Sequence, residues 1–426
     1  MNDSSRKIGL LGAISIGIGG MVGGGIFAVL GEAVSLAHSA TAIAFLLAGL
    51  VALLTAYSYA KLSVCYQNSA GTVVFITNAF GNNLFSSAIN IMLWLSYLVT
   101  ISLYATAFAS YGATFFTNTS SLLHHILISL AIILPAVLNL ISSKIVTQSE
   151  TTIVVIKLAL LALVIVSGIP YIDTTRLALP SLNQGLGVIT AGMIIFVAYE
   201  GFELIANSAQ EIKNPTINLP RAFYASVIIV ILLYILISLV VVGTVNESQL
   251  LEAKEYALAL AAKPALGEIG FSLVAIAALL STFSAINATI YGNARLGVFL
   301  AKERELPKKL QHVQRDIPDI GVVVTTILSL IIANSISLSE IAIIASAGFL
   351  LIFALVNLAA FKLRAIIKAK ASIVLSAFIM SSLALFTLLI YTFKYNPHAI
   401  IIFISFIAIA FLFEFFFSRI FGVSPA

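Results

Sequence analysis

Charged residues are scarce in this 426-residue sequence: Asp, Glu, Lys and Arg make up 9% of the residues, whereas 61% are hydrophobic. A soluble chain of this length needs a charged surface, so the composition excludes a soluble protein and indicates a polytopic membrane protein. The net charge of +5 does not indicate a nucleic-acid partner. The basic residues fall in loops between apolar runs, as membrane orientation requires.

Cysteine and histidine are also scarce. The single cysteine, Cys65, excludes an internal disulfide bond. An enzyme embedded in the membrane needs a cluster of polar groups inside its spans, and a channel needs a ring of filter residues. Neither pattern is found, so we predict no enzyme activity, no metal site and no cofactor. The five histidines lie near the ends of apolar runs or in loops, at positions 38, 124, 125, 312 and 398.

Long apolar runs predict twelve transmembrane helices, numbered here as spans one to twelve. Lys and Arg concentrate in the alternate loops that share a side with the N-terminus, which predicts that both termini are cytoplasmic. The first run is too long for a cleavable signal peptide. We therefore expect an integral protein of the cytoplasmic (inner or plasma) membrane. The runs are 10–36, 40–66, 85–112, 122–140, 150–170, 184–210, 220–245, 266–296, 320–334, 339–361, 371–393 and 397–418.

Span one contains six glycines between Gly17 and Phe27. Because glycine costs roughly 1 kcal/mol relative to alanine in a helix, this cluster predicts a helix that stops and restarts. The freed amides of Gly23, Gly24 and Gly25 would form an anion site suited to a carboxylate, and the freed carbonyls of the first half a cation site. The alternative interpretation is a glycine face for close helix packing.

Span six is the second interrupted span, because Glu200, Gly201 and Glu203 break an otherwise apolar run. Four uninterrupted spans separate it from span one, which predicts two five-helix repeats, the second inverted because five is odd. Paired interruptions indicate a transporter binding site. We therefore predict a single membrane domain, 1–426, with a first repeat at 10–170, an inverted repeat at 184–368 and two accessory helices at 371–420.

Three further polar features lie inside the spans. Lys157 is buried in span five, and a lysine in hydrocarbon costs at least ~2.5–3.5 kcal/mol, so we expect it to face the bundle interior and to have a function. Tyr97, Tyr104 and Tyr111 recur every seven residues on one face of span three, which predicts either a gate or a packing stripe. Ser281 and Ser284 share a face of span eight.

Three motifs in this order resemble the amino acid–polyamine–organocation (APC) superfamily, closest to its proton-coupled ApcT type. They are Gly17–Phe27, Phe196–Glu203 and Glu211–Pro215 followed by Leu219–Arg221. The resemblance implies a LeuT-type fold, with twelve helices, a 5+5 inverted repeat and helices 1 and 6 broken. It also implies alternating access around spans one, three, six and eight. Lys61, Asn68 and Glu200 depart from the pattern of many relatives.

The resemblance also implies roles for individual residues. The substrate carboxylate would meet the amides of Gly23, Gly24 and Gly25, with Tyr104 lining the site. The Lys157 ammonium would stand where other relatives hold sodium. It would bridge the Gly19 carbonyl to the hydroxyl of Ser281 or Ser284. The carbonyls that meet the substrate ammonium would lie near Ile18, Gly19, Phe196 and Ala198.

The predicted function is secondary active import of small or apolar L-amino acids, coupled to protons and independent of sodium. The alternatives are a cationic amino acid or polyamine transporter, an exchanger, and a sodium symporter. Glu200 separates two of these, because as a neutral hydrogen-bond donor it would cap the break, whereas as an anion it would select cationic substrates. Glu203 is expected to pack against span ten or eight as a hydrogen-bonded acid. The expected partners are the amino acid, protons and the lipid bilayer, with no nucleic acid and no prediction of oligomeric state.

Overall fold

The computed structural model describes residues 6–141, 143–177, 185–314 and 316–420, and the side chains of 143–152 and 420 lie outside that description. The residue at which the second repeat was predicted to begin, 184, is also outside it. Within the described residues, seventeen α-helices are found. They are α1 Leu10–Met21, α2 Gly25–Ala37, α3 Thr41–Cys65, α4 Gly71–Phe80, α5 Leu84–Ala113, α6 Ser121–Ile141, α7 Ser143–Gly168, α8 Gly185–Ile194, α9 Leu204–Asn207, α10 Pro215–Thr244, α11 Glu247–Glu252, α12 Ala257–Ala261, α13 Lys263–Lys302, α14 Asp319–Ser335, α15 Leu338–Lys362, α16 Ala371–Tyr395 and α17 Pro397–Ile420.

The long helices follow the predicted apolar runs closely. Over the described ranges, ten helical stretches are long and apolar enough to cross a membrane, which makes this an all-helical integral membrane protein. Ten is fewer than the predicted twelve for two reasons. Span one is divided into α1, of 12 residues, and α2, which continues through a short turn into α3. Span nine is α14, whose 17 residues fall just short of a full crossing.

Local sequence explains where several helices begin. The Asn83 side chain accepts hydrogen bonds from the amides of Phe85 and Ser86, which caps α5. Ser337 and Glu340 form a reciprocal capping box at the start of α15. Proline at the first position of α10, after Asn214 with φ of 46°, fixes the sharp entry into that helix.

The helix α4 was not predicted. It follows α3 after a short turn and carries Thr72, whose neighbours include Tyr59 of α3. The sequence here reads as a polar loop with Gly71, and only ten residues form the helix. Its short length explains why the apolar pattern was missed.

Burial separates a central group of helices from peripheral ones, which include α6 and the last two helices. In α5, 83% of the most apolar stretch is buried, and the corresponding figures for α16 and α17 are 28% and 17%. The centre is packed with aromatic rings: Tyr59 meets Phe202 at 5.4 Å and Phe353 at 5.5 Å, between ring centroids. The interrupted spans therefore lie in the packed interior, and the last two helices lie at its edge.

Candidate functional site

The first interruption lies between α1 and α2, as predicted from the glycines. The Val22 amide still donates to the Ile18 carbonyl at 2.8 Å, and the next helical bond runs from Ala28 to Gly24 at 3.0 Å. The first four amides of α2 have no partner within the helix. They belong to Gly24, Gly25, Ile26 and Phe27. Two of the three predicted amides, those of Gly24 and Gly25, belong to this group, which extends to Ile26 and Phe27.

The carbonyls at the end of α1 are taken by side chains from three other helices. Lys157 Nζ of α7 donates to the Gly19 carbonyl at 3.0 Å. Tyr234 of α10 donates to the Met21 carbonyl at 2.7 Å. Ser281 of α13 donates to the Gly23 carbonyl, and its oxygen lies 3.2 Å from the Val22 carbonyl. This end of α1 is thus a cation-attracting terminus.

Lys157 is 4% exposed and faces the bundle, as expected for an intramembrane lysine. Of the two contacts predicted for Lys157, the structure contains the hydrogen bond to the Gly19 carbonyl. Of the two candidate serines, Ser281 is fully buried and reaches the break through Val22 and Gly23. Ser284 is only partly buried. Lys157 and Ser281 therefore contact the same helix end at neighbouring carbonyls.

The second interruption is a change of helix type. Residues Ile195–Glu203 form a 3₁₀ helix between α8 and α9, and nine residues is unusually long for that geometry. The Ser346 hydroxyl of α15 donates to the Ile194 carbonyl, and its oxygen accepts from the Val197 amide at 3.0 Å. A side chain from another helix therefore occupies backbone groups freed by the change.

Glycines bring the two interruptions into backbone contact. A Cβ on Gly201 would lie 2.1 Å from the carbonyl carbon of Gly20, and one on Gly25 would lie 2.7 Å from Cα of Ala198. The Tyr234 hydroxyl lies 2.7 Å from the Met21 carbonyl and 3.2 Å from the Ala198 carbonyl. The two interpretations of the glycines are thus compatible, because the same residues break the helix and let it pack closely. The sequence offered no local sign of Tyr234.

Two buried carboxylates lie on the 3₁₀ segment. Glu200 lies 3.0 Å from the Thr100 hydroxyl and accepts a hydrogen bond from it. Glu203 accepts from Tyr59 at 3.1 Å, from Thr72 at 3.2 Å and from Tyr97. These donors lie on α3, α4 and α5, so the expectation that Glu203 packs against span ten or eight gave the wrong hydrogen-bonding elements. Three hydroxyl donors suit an ionised carboxylate.

The tyrosines spaced by seven in α5 all reach the interruptions. Tyr97 binds Glu203. Tyr104 covers Gly24, since a Cβ there would lie 2.2 Å from the Tyr104 ring. Tyr111 packs edge-on against Phe27 at 5.9 Å. One face of α5 therefore lines both interruptions.

Ile18 and Phe196 complete the predicted set, and both are buried. Phe196 packs edge-on against Phe353 at 5.8 Å. The Ile18 carbonyl accepts from the Val22 amide, so it too has a partner within the protein. Among the described residues there is no group of three or more His, Cys, Asp or Glu that could hold a metal ion.

Two interrupted helices that meet inside a membrane bundle are typical of a transporter binding site. The amino acid permease family model matches residues 8–422. The chain therefore belongs to the amino acid permeases of the APC superfamily, and it is a transporter rather than an enzyme.

Similar proteins agree with this assignment. An uncharacterised protein of Methanocaldococcus jannaschii is 35% identical over 92% of this chain and 90% of its own length. The inner membrane transport protein YbaT of Escherichia coli is 34% identical over 85% of each chain. The serine/threonine exchanger SteT of Bacillus subtilis is 26% identical over 80% of each chain.

Proposed function

We propose that this protein imports L-amino acids by alternating access, driven by protons and without sodium. The observation that carries the proposal is the buried Lys157 ammonium, bonded at 3.0 Å to the Gly19 carbonyl where α1 stops. A fixed cation at this helix end supplies the charge that a sodium ion would otherwise supply. It also repels a second cation, which disfavours sodium coupling.

Backbone groups of the protein hold the substrate through its carboxylate and its ammonium group, which all amino acids share. Its carboxylate meets the amides of Gly24 and Gly25 and of the turn that follows, at the positive end of α2. Its ammonium meets carbonyls of the two interruptions, including that of Ala198. Because these contacts involve no substrate side chain, they suit a range of small and apolar amino acids.

The proton acts through Lys157. When protonated, the ammonium holds α1 against α7, and Ser281 holds the adjoining turn against α13. When Lys157 loses its proton, the hydrogen bond to Gly19 loses its charge assistance and weakens. The first interruption is then free to move relative to α7 and α13, which opens the site to the other side.

The proposed architecture is the LeuT type, with twelve crossings, a 5+5 inverted repeat and α16 and α17 as accessory helices. The halves α1 and α2 together form one crossing. α14 forms the ninth, since 17 residues at 1.5 Å each nearly span the hydrocarbon. The basic loops place both termini in the cytoplasm.

A second candidate is transport of cationic amino acids or polyamines. It is favoured by Glu200, which is 4% exposed and contacts Thr100, one helical turn of α5 before the Tyr104 ring that covers Gly24. An ionised carboxylate there would attract a second ammonium on the substrate. The Thr100 hydroxyl supports the opposite view, in which Glu200 is neutral. Its single proton has two acceptors within reach, Glu200 and the Ser96 carbonyl at 3.2 Å. If the proton goes to Ser96, Glu200 must be the donor and is neutral.

The test is uptake of labelled L-amino acids by proteoliposomes in sodium-free buffer, with the outside more acidic than the inside. Saturable uptake and counterflow are expected. N-acetylated and amidated derivatives should fail to compete, since they lack the free charged groups. Equal competition by these derivatives contradicts the backbone site. Strong inhibition by arginine, lysine or putrescine that is lost in Glu200→Gln favours the second candidate.

A further inference from the structure

A second group of buried polar side chains lies outside the transport site, where the loop after α13 packs on the start of α5. Its centre is Glu305, which is 3% exposed although it belongs to a charged loop. The Glu305 amide donates to the Leu300 carbonyl at 2.8 Å, which turns the chain back against α13. Asn90 Nδ2 of α5 donates to both Glu305 carboxyl oxygens, at 2.9 and 3.2 Å. The loop is therefore attached to α5 by this carboxyl group.

The second acid of the group is Glu414 of α17. It is 6% exposed, and its Oε2 atom is buried with no hydrogen-bond partner. One helical turn earlier, the Phe411 ring meets Phe85 of α5 with centroids 6.5 Å apart, so this face of α17 is turned to the start of α5. Glu305 and Glu414 therefore lie at the same end of α5, Glu305 on Asn90 and Glu414 one turn of α17 beyond the contact with Phe85. Two carboxylates brought together in a buried site disfavour each other's ionisation.

Another oxygen of the group also lacks a donor. Asn90 Oδ1 is buried without a hydrogen bond, as Glu414 Oε2 is. A buried site with excess acceptors costs free energy unless a proton or another donor enters it. The surroundings therefore favour a carboxyl group that carries a proton.

No described cation neutralises the two acids. None of the ion pairs in the described part of the chain involves Glu305 or Glu414. The Arg419 guanidinium of α17 stacks on Phe415 at 4.1 Å, and the Lys362 ammonium of α15 lies over Phe80 at 4.5 Å. Apart from Tyr97, Tyr104 and Tyr111, α4 and α5 carry no ionisable side chain. The remaining charges are on exposed residues next to Glu305 in the loop, namely Lys302, Glu303, Arg304, Lys308 and Lys309.

We propose that Glu305 and Glu414 form a proton-binding site, in which the two carboxyl groups hold one proton between them and so keep the 303–310 loop packed on α5 and α17. Loss of the proton leaves two buried anions that repel each other, and the loop then moves away from α5. The site is separate from Lys157 and does not depend on the proposed coupling mechanism. It makes the attachment of α17 and of the loop between α13 and α14 sensitive to pH.

The titration range supports this. Burial raises the pKa of Glu305 to about 7, against the opposing effect of the hydrogen bonds from Asn90 and Ser87. An acid whose pKa is raised by folding stabilises the folded protein fully below its unfolded pKa of about 4.3. That stability is lost as pH rises through about 7. The loop should therefore be packed at pH 6 and loosened at pH 8.

The experiment is thermal unfolding of the full-length protein in detergent, from pH 5 to pH 8.5. The unfolding temperature of the wild type should fall as pH rises through about 7. Glu305→Gln and Glu414→Gln should each move that fall to lower pH by about one unit or more, and the double variant should remove it. Asp316→Asn is the matched control, since this exposed acid lies in the same loop further along the chain from Glu305, and its profile should follow the wild type.

Two results would overturn the proposal. One is a wild-type unfolding temperature that does not change between pH 6 and pH 8. The other is a double variant whose effect equals the sum of independent single effects, because a shared proton requires coupling. If the variants fail to fold, infrared difference spectra of the wild type serve instead. The C=O stretch of a protonated carboxyl group should be present at pH 6 and lost at pH 8, and its absence at both contradicts a bound proton.

Discussion

The two interruptions differ in what they present to the centre of the protein. The first, between α1 and α2, is made of glycine and presents backbone amides and carbonyls, with Lys157 on its Gly19 carbonyl. The second keeps a helical backbone of 3₁₀ type and presents the carboxylates Glu200 and Glu203. Backbone groups recognise what all amino acids share, whereas side chains recognise what differs. In the proposed mechanism, the first interruption therefore binds the substrate and couples its transport to protons, while the second stabilises the bundle.

The largest effect is expected from Gly24→Val, which tests the first interruption. The new side chain would enter the Tyr104 ring and block the amides at the start of α2. Binding should fall roughly 100-fold or more, because two or three charge-assisted hydrogen bonds of about 1.5–3 kcal/mol each are lost. Equilibrium binding of labelled substrate is the measurement.

The matched control for Gly24→Val is Gly292→Val in α13, where an added Cβ meets nothing within 4 Å. This variant should bind substrate as the wild type does, and both variants should express and insert. Wild-type binding by Gly24→Val would show that the amides are not the carboxylate site.

The next largest effect concerns stability at the second interruption. Tyr59→Phe removes one of the donors to Glu203 and leaves that buried carboxylate with fewer partners. We expect a loss of about 1–3 kcal/mol in the free energy of unfolding. Thermal unfolding in detergent measures it, with Tyr224→Phe in α10 as the control, because this partly buried tyrosine donates no hydrogen bond to a described carboxylate. If the two variants unfold alike, Glu203 does not depend on its hydroxyl donors.

A smaller effect is expected from Glu200→Gln, which keeps the shape of the side chain and removes its ability to ionise. If Glu200 is a neutral cap, inhibition constants for alanine, leucine and lysine should each change less than about threefold, or about 0.6 kcal/mol. A selective loss of lysine inhibition by about tenfold, or 1.4 kcal/mol, would assign the second interruption to cation selection instead.

The smallest effect is expected from Thr100→Val, which deletes a hydroxyl group that bonds either Ser96 or Glu200. Uptake should fall no more than about twofold, since one neutral hydrogen bond at the low end of its range, about 0.5 kcal/mol, is removed. A change in substrate preference as large as that of Glu200→Gln would mean that Thr100 sets the ionisation of Glu200.

The sequence predicted the interrupted first span, the bounds of most long helices and the inward direction of Lys157, because these depend on local composition. Gly23–Gly25 marked the break itself, although the amides that it frees begin at Gly24. Tyr234 and Ser346 could not be predicted, since each acts on a backbone carbonyl far away in the chain. Glu414 could not be assigned a role either, because it is a single acid in an otherwise apolar span and its neighbours come from distant parts of the chain.

The hydrogen-bond partners of Glu203 show most clearly what could not be predicted from the sequence. An acid on an apolar helix predicts burial and hydrogen bonding, and the structure confirms both. It does not predict which helix supplies the donors. That depends on how α3, α4 and α5 pack around the 3₁₀ segment, and helix packing leaves few marks in a single sequence.

The central claim is that proton coupling belongs to the first interruption and not to the second. Its most direct test is uptake at several external pH values in sodium-free buffer, for the wild type, Lys157→Met and Glu200→Gln. The account predicts uptake that rises as external pH falls in the wild type and in Glu200→Gln, and a flat profile in Lys157→Met. A pH profile that persists in Lys157→Met, or wild-type uptake that requires sodium, would contradict it.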